Sequence, residues 1–413
     1  MSTTTNWKAL LGPGILFATT CIGVSHLVQS TRAGADYGNS LWWIIILANL
    51  LKYPFFEFGS RYAAVTGRSL IAGYAAHKRW WLVMYFVLML ITMFTVTAAV
   101  SFVTAAMVGQ FIGLAIDPVL LTGLLLAAGI ILLQVGKFKS LDFSAKVITI
   151  VLTITTLVAF VLALGQPSQA NTLTVDQLFS DGSVLFIVAL MGWMPTALDL
   201  SSWNSLWTVE KMQSMIEKPT VNQVLKEFAL GYVLSAVMAL LFMVMGERMF
   251  FGKGVILSDN SVVFAGQIVS IYTEVIGAWV YPIVSIAAAT TMIGTMLTIL
   301  DGYSRASVEV VSLLARRTKA SIYSDVLAKV LLSGVAMVIV AGFSTRMKSL
   351  VDLATSISFL IAPFIAWMNL KLVFGRDIPV EHRPGRFLQV LSALGLIFLI
   401  GFSIWYLWIL FKN

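Results

Sequence analysis

The chain carries little charge and almost no cysteine. Of its 413 residues 11% are charged, three are histidine and one is cysteine, Cys21. Soluble domains average about 25% charged residues. A chain this long and 59% hydrophobic cannot hide its apolar surface from water, so lipid is its expected solvent. One cysteine excludes an internal disulfide and a thiolate cluster. A phosphate-binding loop, a paired His-Glu zinc motif and a catalytic triad are all missing, so neither an enzyme nor a resident cofactor is expected. The first apolar segment lacks a small-residue cleavage site and reads as core rather than as a leader. With no linker or soluble module, residues 1–413 are expected to form a single transmembrane domain.

What is present is a series of eleven apolar stretches, near 10–31, 41–65, 82–112, 116–136, 146–165, 183–207, 228–250, 264–300, 325–343, 348–373 and 387–410. Each reaches or approaches the ~20 residues that span a bilayer as a helix. The eighth is long enough to begin with an external helix. Lys and Arg favour alternate connections by about three to one, which places the N-terminus in the cytoplasm and the C-terminus outside. The net charge of +8 is then a cytoplasmic-loop excess and not the footprint of a nucleic-acid partner. Short termini and compact loops fit a bacterial inner membrane.

Two stretches are interrupted. Gly23, Val24, Ser25 and His26 lie inside the first. A histidine at that depth is costly, and small residues beside it favour local unwinding, which is tolerated where backbone faces protein or a water-filled cavity. The sixth contains Gly192 and Pro195; proline removes a backbone donor and clashes with the preceding turn, so a break is expected around 191–196. Interrupted helices at corresponding places in two halves point to an all-α inverted-repeat transporter with a midplane site. The repeats would cover 10–165 and 183–373, with 387–410 as an added helix.

The residues then resemble a family. Gly12-Pro13-Gly14, the stretch Ala33-Gly34-Ala35-Asp36-Tyr37-Gly38 before Ser40-Leu41-Trp42, Val65-Thr66-Gly67-Arg68, and Met194-Pro195 are similar to segments of the NRAMP (natural resistance-associated macrophage protein) metal-ion transporters. That resemblance implies a LeuT-type fold with discontinuous helices 1 and 6. It also implies a metal site, and the departures fall on it. Gly23, Val24, Ser25 and His26 replace the family's Asp-Pro-Gly-Asn, and Thr196 replaces its motif histidine. Met194 keeps the thioether position, and the family's backbone-carbonyl ligands map onto Thr20 and Met191.

The candidate substrate-binding residues are therefore His26, Met194, Gly23, Ser25, Thr20, Met191, Thr196 and Trp193, with His26 and Met194 as candidate metal ligands. Imidazole and thioether suit a borderline transition metal better than Mg²⁺ or Ca²⁺. Each also has a plain alternative: His26 as a satisfied core residue, Met194 and Trp193 as packing, Cys21 as a small core side chain. Asp199 reads either as a proton acceptor facing the inner vestibule or as a capping carboxylate. Glu57 and Arg61 are an i, i+4 pair and, with Lys52, read as a cytoplasmic gate. Asp301, Arg305 and Glu309 read as a solvated ladder or an inner gate.

The expected function is secondary transport by alternating access. Two cargo classes stay open. The resemblance implies a divalent metal ion, with protons as the candidate coupling partner in symport. The missing carboxylate at position 23 leaves room for the alternative, a small anionic or polar organic solute drawn to half-helix ends. Besides cargo and protons, membrane lipid is the expected partner.

Overall fold

The computed structural model describes residues 12–113, 116–169, 173–316 and 322–412. Helix dominates them, and local sequence explains most of the boundaries. The first stretch gives α1 (Pro13–Cys21), a π-helical segment (Ser25–Ser30) and α2 (Thr31–Tyr37). Proline at the start of α1 is pre-set for a first turn. Next, α3 (Trp42–Thr66) stops where Gly67 takes φ 67°, a left-handed cap. The Ser69 side chain accepts from the Ala72 N–H and opens a short α4 (Leu70–His77). The long α5 (Arg79–Ile112) follows.

A difference from the sequence expectation comes next. The fourth and fifth stretches lie in one unbroken helical run, α6 (Pro118–Ala163), capped by Asp117. Between the two apolar parts, residues 136–146 include no proline, and Gly136 alone weakens a helix by only about 1 kcal/mol, too little to end it there. The short α7 (Val175–Leu178) leads to α8 (Asp181–Gly192) and α9 (Leu200–Ser214), the halves of the sixth stretch. The helix α10 (Val221–Phe250) begins with a Thr220–Gln223 capping box.

The eighth stretch is divided, as its length suggested. It forms α11 (Ser261–Ile276), a 3₁₀ turn (Ala278–Val280) and α12 (Tyr281–Leu314). Gly277 at φ 118° makes the corner, a conformation glycine adopts without steric cost. The last three helices are α13 (Ile322–Gly342), α14 (Met347–Val373) and α15 (Arg386–Lys412). Among the described residues seven helices are long and apolar enough to cross a membrane, by length and composition.

The interrupted first helix sits at the centre. Both α1 and α2 pack on α10, α8 packs on α14, α9 on α3, and α12 runs against α5 and α6. Gly192 makes one of these contacts: a Cβ there would lie 2.0 Å from the Thr355 carbonyl oxygen of α14. Only glycine lets the end of α8 come so close. One end of the bundle gathers Arg61, Arg68 and Arg383 around the 375–383 segment. The other gathers Arg32, Arg248 and Lys348.

Candidate functional site

Both expected interruptions are present. The first helix loses its α-helical pattern after Cys21 and resumes it at Thr31, while the sixth is open from Trp193 to Asp199. The two openings touch, because the Ser25 hydroxyl lies 3.2 Å from the Pro195 carbonyl oxygen. The Met194–Pro195 peptide is cis.

A small cavity lies between them. Thr20, Ser25, Trp193, Thr196, Asp199 and Tyr303 line it, with Val96, Thr295 and Ile299 among the remaining walls. Its free volume is about 20 Å³, room for about one water molecule. Four of the eight candidate substrate residues therefore face it: Thr20, Ser25, Thr196 and Trp193. The other four, His26, Met194, Gly23 and Met191, do not line it.

The ring of His26 turns instead toward α10. Its Nε2 donates to the Ser235 carbonyl at 2.8 Å, and Nδ1 lies 2.7 Å from the Ser25 hydroxyl. Both ring nitrogens are thus engaged and the side chain is fully buried, the arrangement of a satisfied core histidine. Met194 and Met191 are also fully buried. Gly23 packs against α12, where a Cβ would sit 2.6 Å from Thr295 Oγ1. The position that carries aspartate in the NRAMP motif is filled here by a neighbouring threonine. Trp193 donates through Nε1 to Ser358 at 2.9 Å, so it closes a wall of the cavity and is fixed by α14.

Asp199 is the acidic side chain that lines the cavity. It is 2% exposed. Thr92 of α5 and Tyr303 of α12 both donate to Oδ2, at 2.9 and 2.8 Å. Among the described residues no donor bonds to Oδ1. An uncommitted carboxylate oxygen in a buried cavity is an acceptor waiting for a donor or a cation. Neither Thr92 nor Tyr303 announces itself in the sequence, because hydroxyls are common in apolar helices and signal packing more often than function.

Lys52 corrects the sequence expectation most sharply. It does not join Glu57. Five residues along a helix place two side chains on different faces, whereas three or four place them together. Its Nζ donates to the carbonyls of Met191, Gly192 and Thr196 at 3.1, 3.1 and 2.8 Å. Glu57 and Arg61 do pair, buried, and Arg61 Nη1 also donates to the His382 carbonyl at 2.6 Å. Asp301 and Arg305 form a close pair, but Glu309 leaves that ladder and accepts from Ser69.

The first helix is tied at both ends. At the start, the amides of Gly12 and Gly14 donate to the Glu227 carboxylate of α10 at 2.9 Å. Beyond the interruption, Arg32 grips Asp352 of α14 through two bonds of 2.6 and 3.1 Å, with Gln29 bridging both residues.

Two discontinuous helices meeting at a small internal cavity, within a bundle of membrane-length helices, define the LeuT-type class of membrane protein. Known proteins make the assignment narrower. Residues 14–409 match the family described as natural resistance-associated macrophage protein-like, and the chain belongs to that family. A Pasteurella multocida protein described as uncharacterised is 32% identical over 402 residues, covering 96% of this chain and 91% of that one. A divalent metal cation transporter, MntH, of Verminephrobacter eiseniae is 27% identical over 202 residues, 46% of this chain and 44% of its own. Among solved structures, the Eremococcus coleocola manganese transporter superposes with a TM-score of 0.72 at 14% identity, covering 98% of this chain and 87% of that chain. MhsT, solved with L-phenylalanine, superposes with a TM-score of 0.63 at 12% identity over 96% of this chain and 97% of its own. At those identities the superpositions speak for the fold.

Proposed function

We propose that the protein is a secondary transporter that carries a small divalent metal ion between the broken helices, with the unpartnered Oδ1 of Asp199 as the anionic contact. That oxygen is the observation carrying the reading. A cation leaving water needs a negative charge to meet it, and the cavity-lining carboxylate supplies one that position 23 no longer does. The free volume of about 20 Å³ fits an ion and is far below the several hundred cubic ångströms typical of organic-ligand pockets. The family and the names of its metal-transporting relatives support the choice of cargo. Ser25, Thr20 and Thr196 would add neutral oxygens around the ion.

Alternating access in this reading moves the first helix, whose ends are held by Glu227 on one side and Asp352 on the other. Releasing one tie at a time would open one face at a time. A proton on Asp199 would compete with the metal ion, so symport would need the coupled proton to be carried by a second group while Asp199 holds the metal. The two repeats, 10–165 and 183–373, would rock about the cavity. The Lys- and Arg-rich end would face a bacterial cytoplasm.

The test is Mn²⁺ uptake into proteoliposomes by wild type and Asp199→Asn. Wild type should take up Mn²⁺ in a saturable way, and the variant should not. A wild type silent toward Mn²⁺ across the pH range would remove the metal reading. The second reading, a small polar solute, is favoured by a specific observation: no cluster of three or more metal-binding side chains occurs among the described residues.

A further inference from the structure

Lysines that cap helices ordinarily reach outward to water. Lys52 does the opposite. It is fully buried in the middle of α3, and among the described residues it forms no salt bridge. Its three N–H donors meet three carbonyl oxygens, at 2.8 to 3.1 Å, and its charge lies 5.8 Å from the Phe56 ring centre. An ammonium has three donors and no acceptor, so the match is complete.

Local chemistry explains why those oxygens are available. In a continuous helix the Met191 carbonyl would accept from residue 195, but Pro195 has no N–H; it accepts instead from the Met194 N–H at 3.2 Å and keeps a second lone pair for Lys52. The Gly192 carbonyl ends α8, and the chain then turns back to present the Thr196 carbonyl to the same point. Converging carbonyls that replace a hydration shell are how proteins hold desolvated monovalent cations.

We propose that the carbonyls of Met191, Gly192 and Thr196 form a monovalent-cation site in which the Lys52 ammonium is a permanent, tethered occupant, so that a free inorganic cation enters only when the lysine is removed. The site is distinct from the Asp199 cavity, although both belong to the opening in the sixth helix. The protein therefore has no requirement for a free monovalent cation at this position.

The experiment is thermal melting of the purified full-length protein in detergent, wild type against Lys52→Met, at constant ionic strength. Choline is exchanged for Na⁺, K⁺, ammonium or methylammonium. Wild type should melt at the same temperature in all five salts. Lys52→Met should melt lower in choline and recover saturably with at least one of the smaller cations. A variant that shows no saturable recovery overturns the proposal, and so does a wild type that gains the same stabilisation. If Lys52→Met does not accumulate, Lys52→Gln gives the same readings. Failure of both to fold in every salt also overturns it, because a free cation could then not replace the ammonium. The readout needs no transport, so this proposal and the metal-transport reading can fail separately.

Discussion

The two broken helices resolve the same problem in opposite ways. Each leaves backbone groups without helical partners inside a membrane, where an unsatisfied group costs several kcal/mol. The first break closes with neutral groups: Ser25 reaches the Cys21 carbonyl at 2.6 Å, His26 bridges Ser25 and Ser235, and Thr295 donates to the Thr19 carbonyl at 3.1 Å. The sixth break uses charge, with Lys52 on its carbonyls and Asp199 on its far side. In the NRAMP motif the carboxylate belongs to the first helix. Here Thr295 fills that space and the buried carboxylate sits on the sixth. The comparison teaches that the polar centre of this fold can be moved from one broken helix to the other while the breaks themselves persist.

The largest expected effect falls on the charged break. In a salt without small cations, Lys52→Met removes the Lys52 donor from all three carbonyls and leaves those of Gly192 and Thr196 bare at about 1–3 kcal/mol each, while Met191 keeps its bond from the Met194 N–H. A loss on the order of 3 kcal/mol or more should appear as a strongly lowered melting temperature. Asp199→Asn comes next. It keeps the size of the side chain and should fold, while saturable Mn²⁺ uptake falls by roughly a hundredfold, the equivalent of about 3 kcal/mol of binding. An Asp199→Asn protein with wild-type uptake would show that the charged break carries no cargo.

The neutral break should respond differently. His26→Ala removes a buried ring and its bonds to Ser25 and the Ser235 carbonyl, for a stability loss of about 1–3 kcal/mol, yet apparent Mn²⁺ affinity should change by less than about threefold, or under 1 kcal/mol. Calorimetry and melting on the same preparation separate the two outcomes. A lost affinity without lost stability would return His26 to the substrate site. The smallest effect is expected from restoring the first-helix carboxylate. Gly23→Asp alone should misfit against Thr295, and Gly23→Asp with Thr295→Ala should recover most of the melting temperature. Recovery without any gain in Mn²⁺ affinity would show that the first break has room for a ligand but no longer the geometry of one.

Much of the fold was legible in the sequence, and the reason is that its determinants are local. A long apolar run must be a helix in lipid, Pro195 must disturb the turn before it, and small residues around His26 weaken the first helix, whatever surrounds them. These effects act within a few residues, so the two interruptions and the membrane class followed from composition and spacing alone. The expected break between the fourth and fifth stretches failed to appear where residues 136–146 hold no proline.

The site was legible only in part. Ser25, Trp193 and Asp199 were named from their neighbourhood to the breaks and Thr20 and Thr196 from the family resemblance, and all five line the cavity. What sequence could not decide was direction. His26 sits at the first break, but whether its ring faces the cavity or α10 depends on where Ser235, more than two hundred residues away, is packed. Lys52 lies near Glu57 in sequence, yet its long side chain follows the carbonyls exposed at the break, and those belong to a helix from the other half of the chain. The chain itself dictated that two helices would break. Tertiary packing decided which polar groups would meet the exposed backbone, because a buried donor goes to whichever acceptor the fold leaves uncompensated, not to its neighbour along the chain.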